Sequence, residues 1–400
     1  MNSVKKITNY VFDRYKVTDK VAFFINEEYI FDHYSCVMER LDSNIFDIIL
    51  ADKFKQKKYG NLINKLTLNS WNVMFLSDVL YLRKYKVLLT HLYLGGNTAS
   101  SGTIFLRVKS IIFRLMKTAG VNWLKEPPKQ YFQNILGVSN IRFMYGADAG
   151  GVKFGKYNYL FDEFFCHGPR DSEIIRKAFN CPVYEMGYPR YDSYFDNLNN
   201  KELKYSLLKK YSCNHNKPTI LWICTVSEYF STIERYEGLM YSFTEKYNVI
   251  LRPHPMEIDP QYDRYKKNVQ DIVNSGRFII SSDPYQEMSD LYLIADFVFC
   301  DYGGTIFSAL YVNKKIILMD HDLVSMDRGV YESTSMEVRE YLPTISEIKG
   351  CDIDRKILDS RFWDNGSENK KKARRKYFGS HEGDSASKTA VRIMDILSYE

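Results

Sequence analysis

An Arg-Pro-His-Pro turn at 252–255 follows the short apolar run 248–251, so side chains suited to chemistry stand where a predicted strand ends. Proline fixes φ and lacks a backbone donor, and the strand must therefore end at this turn. In an open parallel sheet, the carboxyl ends of the strands are where ligands bind. An imidazole that is protonated, or that donates from one ring nitrogen, stabilises negative charge on a phosphate oxygen. We predict that His254 and Arg252 contact the diphosphate of a nucleotide.

A second turn, Asp-Tyr-Gly-Gly-Thr at 301–305, follows the apolar run 297–300 and leads into a predicted helix at 306–312. Glycine lets a backbone approach a phosphate closely, and the N–H groups and positive dipole end of a helix favour an anion. The other interpretation is an ordinary strand-to-helix turn with an N-cap threonine. From neighbouring strand edges, three residues of this turn are predicted to converge with His254 on one diphosphate: Gly303, Gly304 and Thr305.

Two groups of carboxylates lie close to these turns in sequence. Asp301 could orient His254, cap the following helix or accept a hydrogen bond from a ligand hydroxyl, and the sequence leaves the three roles open. We include Asp301 among the catalytic candidates. The predicted helix 283–295 carries Glu287 and Asp290, either of which could reach a ribose, although solvent exposure is the ordinary fate of such side chains. Glu287 is our candidate for nucleotide binding.

In the first half of the chain, the glycine-rich segment 144–151 follows a predicted strand. Asp148 in this segment is a candidate general base that would take the proton from an incoming hydroxyl. An aspartate in such a loop is also a common turn former. Arg170 and Arg190 follow later strands, and either could face an anionic acceptor. His167 could equally be a structural residue at the end of its strand or a participant in the site.

Several classes of chemistry have no signature in the sequence. There is no Walker phosphate loop, no Gly-x-Gly-x-x-Gly after the first strand and no Gly-x-Ser-x-Gly elbow. The Asp-x-Asp form at 352–354 lies far from either nucleotide turn, and we interpret it as a loop. The seven cysteines include no Cys-x-x-Cys pair, which is typical of reduced thiols without a structural zinc. We therefore predict neither a metal site nor a cofactor.

Composition and length narrow the choice of protein class. The chain has 400 residues and a net charge of +6, which is small for this length and does not indicate nucleic acid binding. No window has the roughly 18 apolar residues that span a bilayer, and residues 1–10 lack the apolar core of a secretion signal. The expected compartment is the cytoplasm.

The elements that must position these turns alternate between apolar strands and helical patterns along the whole chain, which is typical of parallel α/β sheets. Because 400 residues exceed what one core usually organises, we predict two domains. The polar stretch 192–204 marks the connection between an N-terminal, acceptor-side domain at 1–205 and a C-terminal, nucleotide-donor domain at 206–384. The remaining segment, 385–400, is predicted to be a helix that crosses back to the N-terminal domain.

Two basic segments stand apart from this alternation. Between Ile104 and Glu126 apolar residues recur at helical spacing with basic residues between them. Such a helix could lie on an anionic membrane surface or pack its apolar stripe on the sheet of the first domain. The run of lysines and arginines at 370–376 is usually a solvated helix face, and the alternative is binding to a polyanion or a membrane.

These residues resemble the CDP-glycerol glycerophosphotransferase family, bacterial enzymes that prime and polymerise teichoic acids and related surface glycans. The likeness covers roughly residues 140–398 and is strongest in the second half. It rests on four segments: 252–255, 290–302, 314–318 and, more weakly, 187–192. The tail from Tyr377 through 382–387 into an amphipathic helix is also similar.

The resemblance implies a GT-B architecture, in which two Rossmann-like domains with parallel sheets face each other across a cleft. It implies metal-independent transfer, lipid-linked glycan acceptors and peripheral attachment to the inner face of the plasma membrane. Transferred onto this sequence, His254 would contact the donor diphosphate, and Asp301 and Thr305 would line the same pocket.

The chain departs from the family pattern in two places. Where the family usually has a His-Gly-Thr turn, with the histidine a candidate base, this chain has Tyr145, Gly146 and Ala147. Where the family usually has Asp-Tyr-Ser-Ser or Asp-Tyr-Ser-Thr, this chain has the glycine-containing turn 301–305. The first departure leaves the base open, and Asp148 is our substitute.

Three functions follow from these observations. The first is transfer of a polyol phosphate from a CDP-activated donor, such as CDP-glycerol, to a hydroxyl of a surface glycan precursor. The second is glycosyl transfer from a CMP- or UDP-sugar in capsule or lipopolysaccharide synthesis, since the turns also resemble bacterial GT-B sialyl and Kdo transferases. The third is a non-catalytic nucleotide-binding scaffold subunit, which the tyrosine at position 145 would suit.

Overall fold

The computed structural model describes residues 16–56, 60, 63–64, 66, 69–94, 133–147, 155–282, 287–348, 353–380 and 382–398. Within these ranges all paired strands run parallel, in two separate sheets. The first sheet contains β1 (Lys16–Ile25), β2 (Phe46–Leu50), β3 (Val73–Phe75), β4 (Arg83–Thr90), β5 (Gly137–Phe143), β6 (Glu163–Cys166) and β7 (Val183–Glu185). The second sheet contains β8 (Thr219–Ile223), β9 (Asn248–Arg252), β10 (Ile279–Ile280), β11 (Phe297–Cys300) and β12 (Lys315–Leu318).

Helices connect the strands, as parallel pairing requires. In the first half they are α1 (Glu28–Met38), α2 (Leu76–Val79), α3 (Gln133–Leu136), α4 (Pro169–Phe179), α5 (Asp192–Asp196) and α6 (Lys201–Lys210). Around the second sheet they are α7 (Thr232–Phe243), α8 (Pro255–Ile258), α9 (Lys267–Asn274), α10 (Met288–Ile294), α11 (Gly304–Tyr311), α12 (Arg328–Tyr331), α13 (Thr334–Glu337) and α14 (Ile345–Ile348). The chain continues with α15 (Ile353–Leu358), α16 (Ser360–Asn365), α17 (Ser367–Phe378) and α18 (Ser385–Ser398).

The order of the strands determines where each sheet can receive a ligand. The first sheet has the order β3-β2-β1-β4-β5-β6-β7, and the second has the order β10-β9-β8-β11-β12. The chain therefore moves outward in opposite directions from β1 and from β8. Ligands of open α/β sheets bind in the crevice at such a switch point, beyond the carboxyl ends of the strands. These crevices lie between β1 and β4 in the first sheet and between β8 and β11 in the second.

The strands form because apolar, largely β-branched and aromatic runs are buried on both faces of a parallel sheet. All residues of β2, β8 and β11 are buried, and so are three of the four residues of β12. Helix α18 contributes Ala386, Ala390 and Ile393 to the same buried cluster as β1 and β4. The last helix thus packs on the first sheet although it follows the second in sequence.

An apolar cluster joins the two halves of the chain. Tyr188 and Tyr191, which follow β7, pack with Tyr311 of α11 and Phe378 of α17. Beside this cluster, a Cβ on Gly168 would stand 2.4 Å from the backbone oxygen of Tyr377, closer than a real contact allows. The N-terminus of α4 and the C-terminus of α17 are therefore in direct backbone contact.

Helix α17 carries the basic run 370–376, and three of its cations, Lys370, Arg374 and Lys376, have partners on other elements of the protein. Lys370 donates to the backbone oxygen of Lys314 at 3.3 Å, and Arg374 donates to that of Tyr311 at 3.0 Å. Lys376 pairs with Glu337, which also accepts from Arg170 of α4 at 2.8 Å. These contacts favour a structural interpretation of the run. The other basic segment, 104–126, lies outside the described residues.

Candidate functional site

The carboxyl ends of β8, β9 and β11, which we call the second-sheet edge, bring together the two turns that the sequence singled out. β8 pairs with β9 on one side and with β11 on the other. His254 and the turn 301–305 therefore lie on opposite sides of β8. Our prediction that they follow neighbouring strands is wrong. Two strand spacings separate them, about 10 Å, and the loop after β8 lies between them.

The backbone fixes the orientation of His254. Its Nδ1 accepts a hydrogen bond from the backbone N–H of Met256 at 3.2 Å, so the imidazole caps α8. Burial lowers the pKa of His254, and the neutral ring then carries its proton on the other nitrogen, Nε2. The half-buried ring thus offers Nε2–H as a donor, which suits a phosphate oxygen and does not suit the role of a base.

Arg252, at the end of β9, has partners on the next strand of the sheet. Its Nη1 donates to the hydroxyl oxygen of Ser281 at 2.9 Å and to the backbone oxygen of the same residue at 3.4 Å. Ser281 directly follows β10. The guanidinium is therefore held beside the second-sheet edge, where its charge favours an anion.

The glycine-containing turn has the backbone that the sequence predicted, with one difference. Gly303 has φ of +78°, a value that L side chains rarely adopt, and it is the N-cap of α11. Thr305 is therefore inside the first helical turn and is not the N-cap. Its hydroxyl oxygen is buried and has no hydrogen-bond partner in the part of the chain that the structure describes. The first N–H groups of a helix have no partner within it, so this helix end can receive an anion.

Asp301 is fully buried and makes its bonds inside the protein. Its carboxylate accepts from the backbone N–H groups of Thr225 at 2.9 Å and Tyr302 at 2.6 Å, and from the hydroxyl of Thr232. Burial raises the pKa of Asp301 to about 6 despite these bonds. The carboxylate neither orients His254 nor caps α11 in this structure. In this structure Asp301 holds the ends of β8 and β11 together, and a direct catalytic role stays a prediction.

The loop after β8 was missed by our sequence analysis although it occupies the switch point. Thr225 bonds to Asp301 and lies 3.5 Å from where a Cβ on Gly303 would stand. Ser227 donates to Asp327 at 2.8 Å, which connects the loop to the segment beyond β12. The sequence did offer a signal for this loop, namely the buried strand that precedes it. Hydroxyl residues directly after a buried strand of a parallel sheet belong to the ligand-binding edge of that sheet.

Glu287, the candidate for nucleotide binding, is exposed at the start of α10. Its charge contributes to the raised pKa of Cys36 on α1, after burial, Glu39 and Asp192. Glu287 therefore lies within electrostatic reach of the first domain, and Asp290 is half-buried one helical turn onward.

The carboxyl ends of β1, β4 and β5, together with the start of α1, form the first-sheet edge, where aromatic and histidine rings cluster. The ring of Tyr145, after β5, lies 5.6 Å from that of His91, 6.0 Å from that of His33 and 5.8 Å from that of Tyr29. Neither histidine was among our sequence-based candidates, although His91 directly follows β4. Asp148, our candidate base, lies outside the described residues.

The two arginines that were offered for an anionic acceptor are engaged elsewhere. Arg190 is near Asp32, at 3.4 Å, and its Nη1 is 3.3 Å from Nε2 of His33. Arg170 donates from two nitrogens to Glu337 of the second domain. His167 is fully buried, with Nδ1 3.7 Å from a carboxylate oxygen of Asp171.

The described residues contain neither a cluster of metal ligands nor a helix suited to crossing a membrane. No three side chains among histidine, cysteine, aspartate and glutamate come together there as a metal-binding group. Among the helices of those residues, none is both long enough and apolar enough to cross a membrane.

Solved structures show the same fold. The wall teichoic acid polymerase TagF superposes with a TM-score of 0.66 at 14% identity, over 99% of this chain and 96% of that one. A glycosyltransferase from Rickettsia africae superposes with a TM-score of 0.51 at 11% identity, over 97% of this chain and 100% of that one. At these identities the likeness establishes the fold alone. With two parallel sheets, it assigns the chain to the GT-B architecture.

Sequence comparison places the chain in a family. A teichoic acid glycerol-phosphate transferase of Staphylococcus aureus is 24% identical over 258 residues, 57% of this chain and 62% of that protein. A teichoic acid poly(glycerol phosphate) polymerase of Staphylococcus epidermidis is 23% identical over 171 residues, 40% of this chain and 22% of that protein. The chain thus matches about three fifths of the first relative's length and about a fifth of the second's. The pattern that defines one family matches residues 136–393, well over half of the sequence. The chain belongs to the CDP-glycerol:poly(glycerophosphate) glycerophosphotransferase family.

Proposed function

We propose that this chain transfers a polyol phosphate, such as glycerol phosphate, from a CDP-activated donor to a hydroxyl group of a bacterial surface glycan precursor. The proposal rests on one observation in a member of this family. The imidazole of His254 caps α8 and keeps an Nε2–H donor, and it flanks the switch point of the second sheet together with the N-terminus of α11. This arrangement suits the diphosphate of a nucleotide.

The donor's diphosphate would lie along the second-sheet edge. His254 would donate from Nε2 to a phosphate oxygen, and the N–H groups at Gly304 and Thr305 would bind the oxygens on the other side of β8. The buried Thr305 hydroxyl, which has no partner, would gain one from a phosphate. Arg252 would contribute positive charge, and the exposed Glu287 would reach the ribose.

The reaction is a displacement at the donor's β-phosphorus. The acceptor oxygen forms a bond to phosphorus as the bond from that phosphorus to the bridging oxygen of CMP breaks, and the electron pair leaves with CMP. The acceptor's proton passes to a base at the first-sheet edge, a role that our sequence analysis gave to Asp148. Hydrogen-bond donors aimed at the departing oxygens stabilise their charge.

We further propose that the transfer needs no metal ion, because these donors and the dipole of α11 act where charge develops on the leaving group. The acceptor is proposed to be lipid-linked, and the chain to work at the cytoplasmic face of the membrane. The basic segment 104–126 would supply the surface contact. Replacing Arg107, Lys109, Arg114 and Lys117 with glutamine would then weaken binding to vesicles that contain anionic lipid, and unchanged binding would refute the surface contact.

The test is release of CMP from CDP-glycerol in the presence of a synthetic oligo(glycerol phosphate) acceptor, with and without EDTA. We expect release that depends on the acceptor and persists in EDTA. Parallel reactions receive CMP- and UDP-sugars instead. Turnover of a sugar nucleotide alone would replace the proposal with glycosyl transfer. Binding of CDP-glycerol without any turnover would indicate a scaffold subunit.

A further inference from the structure

His91 is a buried histidine at the first-sheet edge whose ring nitrogens have no hydrogen-bond partner. The residue is 1% exposed, and neither Nδ1 nor Nε2 has a hydrogen-bond partner among the described residues. Buried polar atoms are nearly always bonded, and an exception in a native protein calls for an explanation. A ligand that supplies the missing partner is one such explanation.

The position of His91 is that of a ligand-binding residue. It directly follows β4, which pairs with β1 at the switch point of the first sheet. Its backbone oxygen accepts from Arg142 of β5 at 3.4 Å, which holds the residue at the strand end. The rings of Tyr29 and Tyr145, which are 45% and 40% exposed, cover it at 6.5 and 5.6 Å.

His33 and His167, the other described histidines near the first sheet, each have a charged neighbour. Nε2 of His33 is 3.3 Å from the guanidinium of Arg190. His167 is fully buried with Nδ1 3.7 Å from Asp171, and its ring packs on Tyr188 at 4.5 Å. The ring nitrogens of His167 also have no hydrogen-bond partner among the described residues. Of these three histidines, however, His91 is the one that combines unpartnered ring nitrogens with a cover of two part-exposed tyrosine rings.

We propose that His91 receives the proton of the acceptor hydroxyl in the transfer reaction, in place of Asp148. This inference rests on the proposed function. The acceptor reaches the imidazole when the Tyr145 side chain turns away from it. The proton moves from the acceptor oxygen to a ring nitrogen of His91 as that oxygen bonds to phosphorus and CMP departs. The imidazolium then loses the proton to solvent.

The electrostatic environment keeps the ring in the form that can accept a proton. Burial first, then the charges of Arg142 and Lys53, lower the pKa of His91 to about 3, so the imidazole is neutral at pH 7. In the ligand-free protein it is a weak base. The negative charge of a diphosphate in the cleft raises the pKa of a nearby histidine, so His91 would become a stronger base when the donor is bound.

The contact between His91 and Tyr145 offers a rescue experiment. An imidazole introduced at position 145, on the neighbouring strand end, would lie next to the place of the imidazole removed at position 91, because the two rings are in contact in this structure. The variants are His91→Gln, which keeps a buried polar side chain of similar size, Tyr145→His, the double variant, and Asp148→Asn. Each is assayed for CMP release from CDP-glycerol with an oligo(glycerol phosphate) acceptor, and for binding of CDP-glycerol by calorimetry.

We expect His91→Gln to lower acceptor-dependent turnover about 100- to 10,000-fold, the usual effect of a lost general base, while the Kd for CDP-glycerol stays within about twofold. Unchanged donor binding shows that the variant is folded. The double variant is expected to recover at least about tenfold of that loss, which a merely structural role for His91 would not produce.

Three results would overturn the assignment, and they differ from a failure of the proposed function. Turnover of His91→Gln close to that of the unsubstituted chain removes the role. So does a loss in Asp148→Asn that His91→Gln does not share, or a double variant with no recovery. If the unsubstituted chain itself releases no CMP from CDP-glycerol, the proposed function fails, and the role of His91 fails with it.

Discussion

The carboxylate of Asp301 accepts the backbone N–H of Thr225 at 2.9 Å and so fastens the end of β11 to the end of β8 across the switch point of the second sheet. The same carboxylate accepts from Tyr302 and Thr232. The glycine turn that starts α11 therefore begins from a fixed position relative to β8. The geometry of the second-sheet edge depends on a residue that itself stays buried.

Removing the carboxylate should destabilise the edge, whereas an amide should preserve it. In Asp301→Ala, the buried N–H groups of Thr225 and Tyr302 lose their acceptor, at a cost of about 1–3 kcal/mol each. In Asp301→Asn, the amide oxygen still accepts from them, and its NH2 group can donate to the Thr232 hydroxyl. We expect the thermal midpoint to fall clearly in the alanine variant and little in the asparagine variant. Equal losses would contradict a role through hydrogen-bond acceptance.

The raised pKa of Asp301 predicts how stability changes with pH. The carboxyl has a pKa of about 6 when folded, against 3.8 as the ordinary value, so the folded state keeps its proton where the unfolded chain has lost it. The stability that the folded protein gains from holding this proton is complete below about pH 4 and is lost as the pH rises through 6. Asp301→Asn removes this dependence. Thermal midpoints at pH 4.5, 5.5 and 6.5 should therefore fall less steeply with pH in the variant, and parallel curves would refute the assignment.

Much of the fold could be predicted from the sequence because the strands are short apolar runs with clear ends. The run 297–300 is β11 residue for residue, and the run 248–251 is β9 without its last residue, Arg252. The residue pattern of one strand does not reveal, however, which other strands it pairs with. Placing β8 between β9 and β11 depends on the crossover connections and on packing across the whole sheet, and for that reason His254 and the glycine turn were expected to be closer neighbours than they are.

The site was predicted less completely than the fold, and for a physical reason. His254 and Gly303 were identifiable because proline and glycine punctuate the chain beside them. His91 and Thr225 follow their strands without such a signal, and their importance lies in what surrounds them: an imidazole without partners and a backbone N–H held by Asp301. The role of Asp301 could not be inferred either, because its carboxylate oxygens accept hydrogen bonds from Thr225 and Thr232, which are about 70 positions away in sequence.

His254 should act through Nε2, and a substitution that spares the helix cap can isolate that atom. In His254→Asn, the side-chain oxygen can still accept from Met256, as asparagine commonly does at an N-cap, but the Nε2–H donor is lost. Removing one such donor typically lowers turnover about 100- to 1,000-fold. We expect this loss in CMP release from CDP-glycerol, with an unchanged thermal midpoint.

The matched control for this substitution is His321→Asn. His321 stands beyond β12, and its Nδ1 accepts from the backbone N–H of Leu323 at 3.1 Å, so it caps its segment as His254 caps α8. It lies two strands away from β8. We expect its variant to keep turnover within about threefold. Comparable losses in both variants would mean that the effect comes from capping and not from the phosphate contact of His254.

The backbone contact between Gly168 and Tyr377 should fix the distance between the two edges. A methyl group at position 168 would meet the Tyr377 oxygen at 2.4 Å, and backbone on both sides would have to move. Overpacking of this kind typically costs about 1–3 kcal/mol. Because the contact lies between α4 of the first domain and α17, Gly168→Ala should lower both the thermal midpoint and the kcat for transfer. Gly238→Ala is the control, since a Cβ there meets nothing within 4 Å on an exposed helix position. That change should stabilise α7 by about 0.5–1 kcal/mol and leave turnover unaltered.

If Gly168→Ala lowered the midpoint but kept the kcat, the contact would support folding without setting the geometry of the cleft.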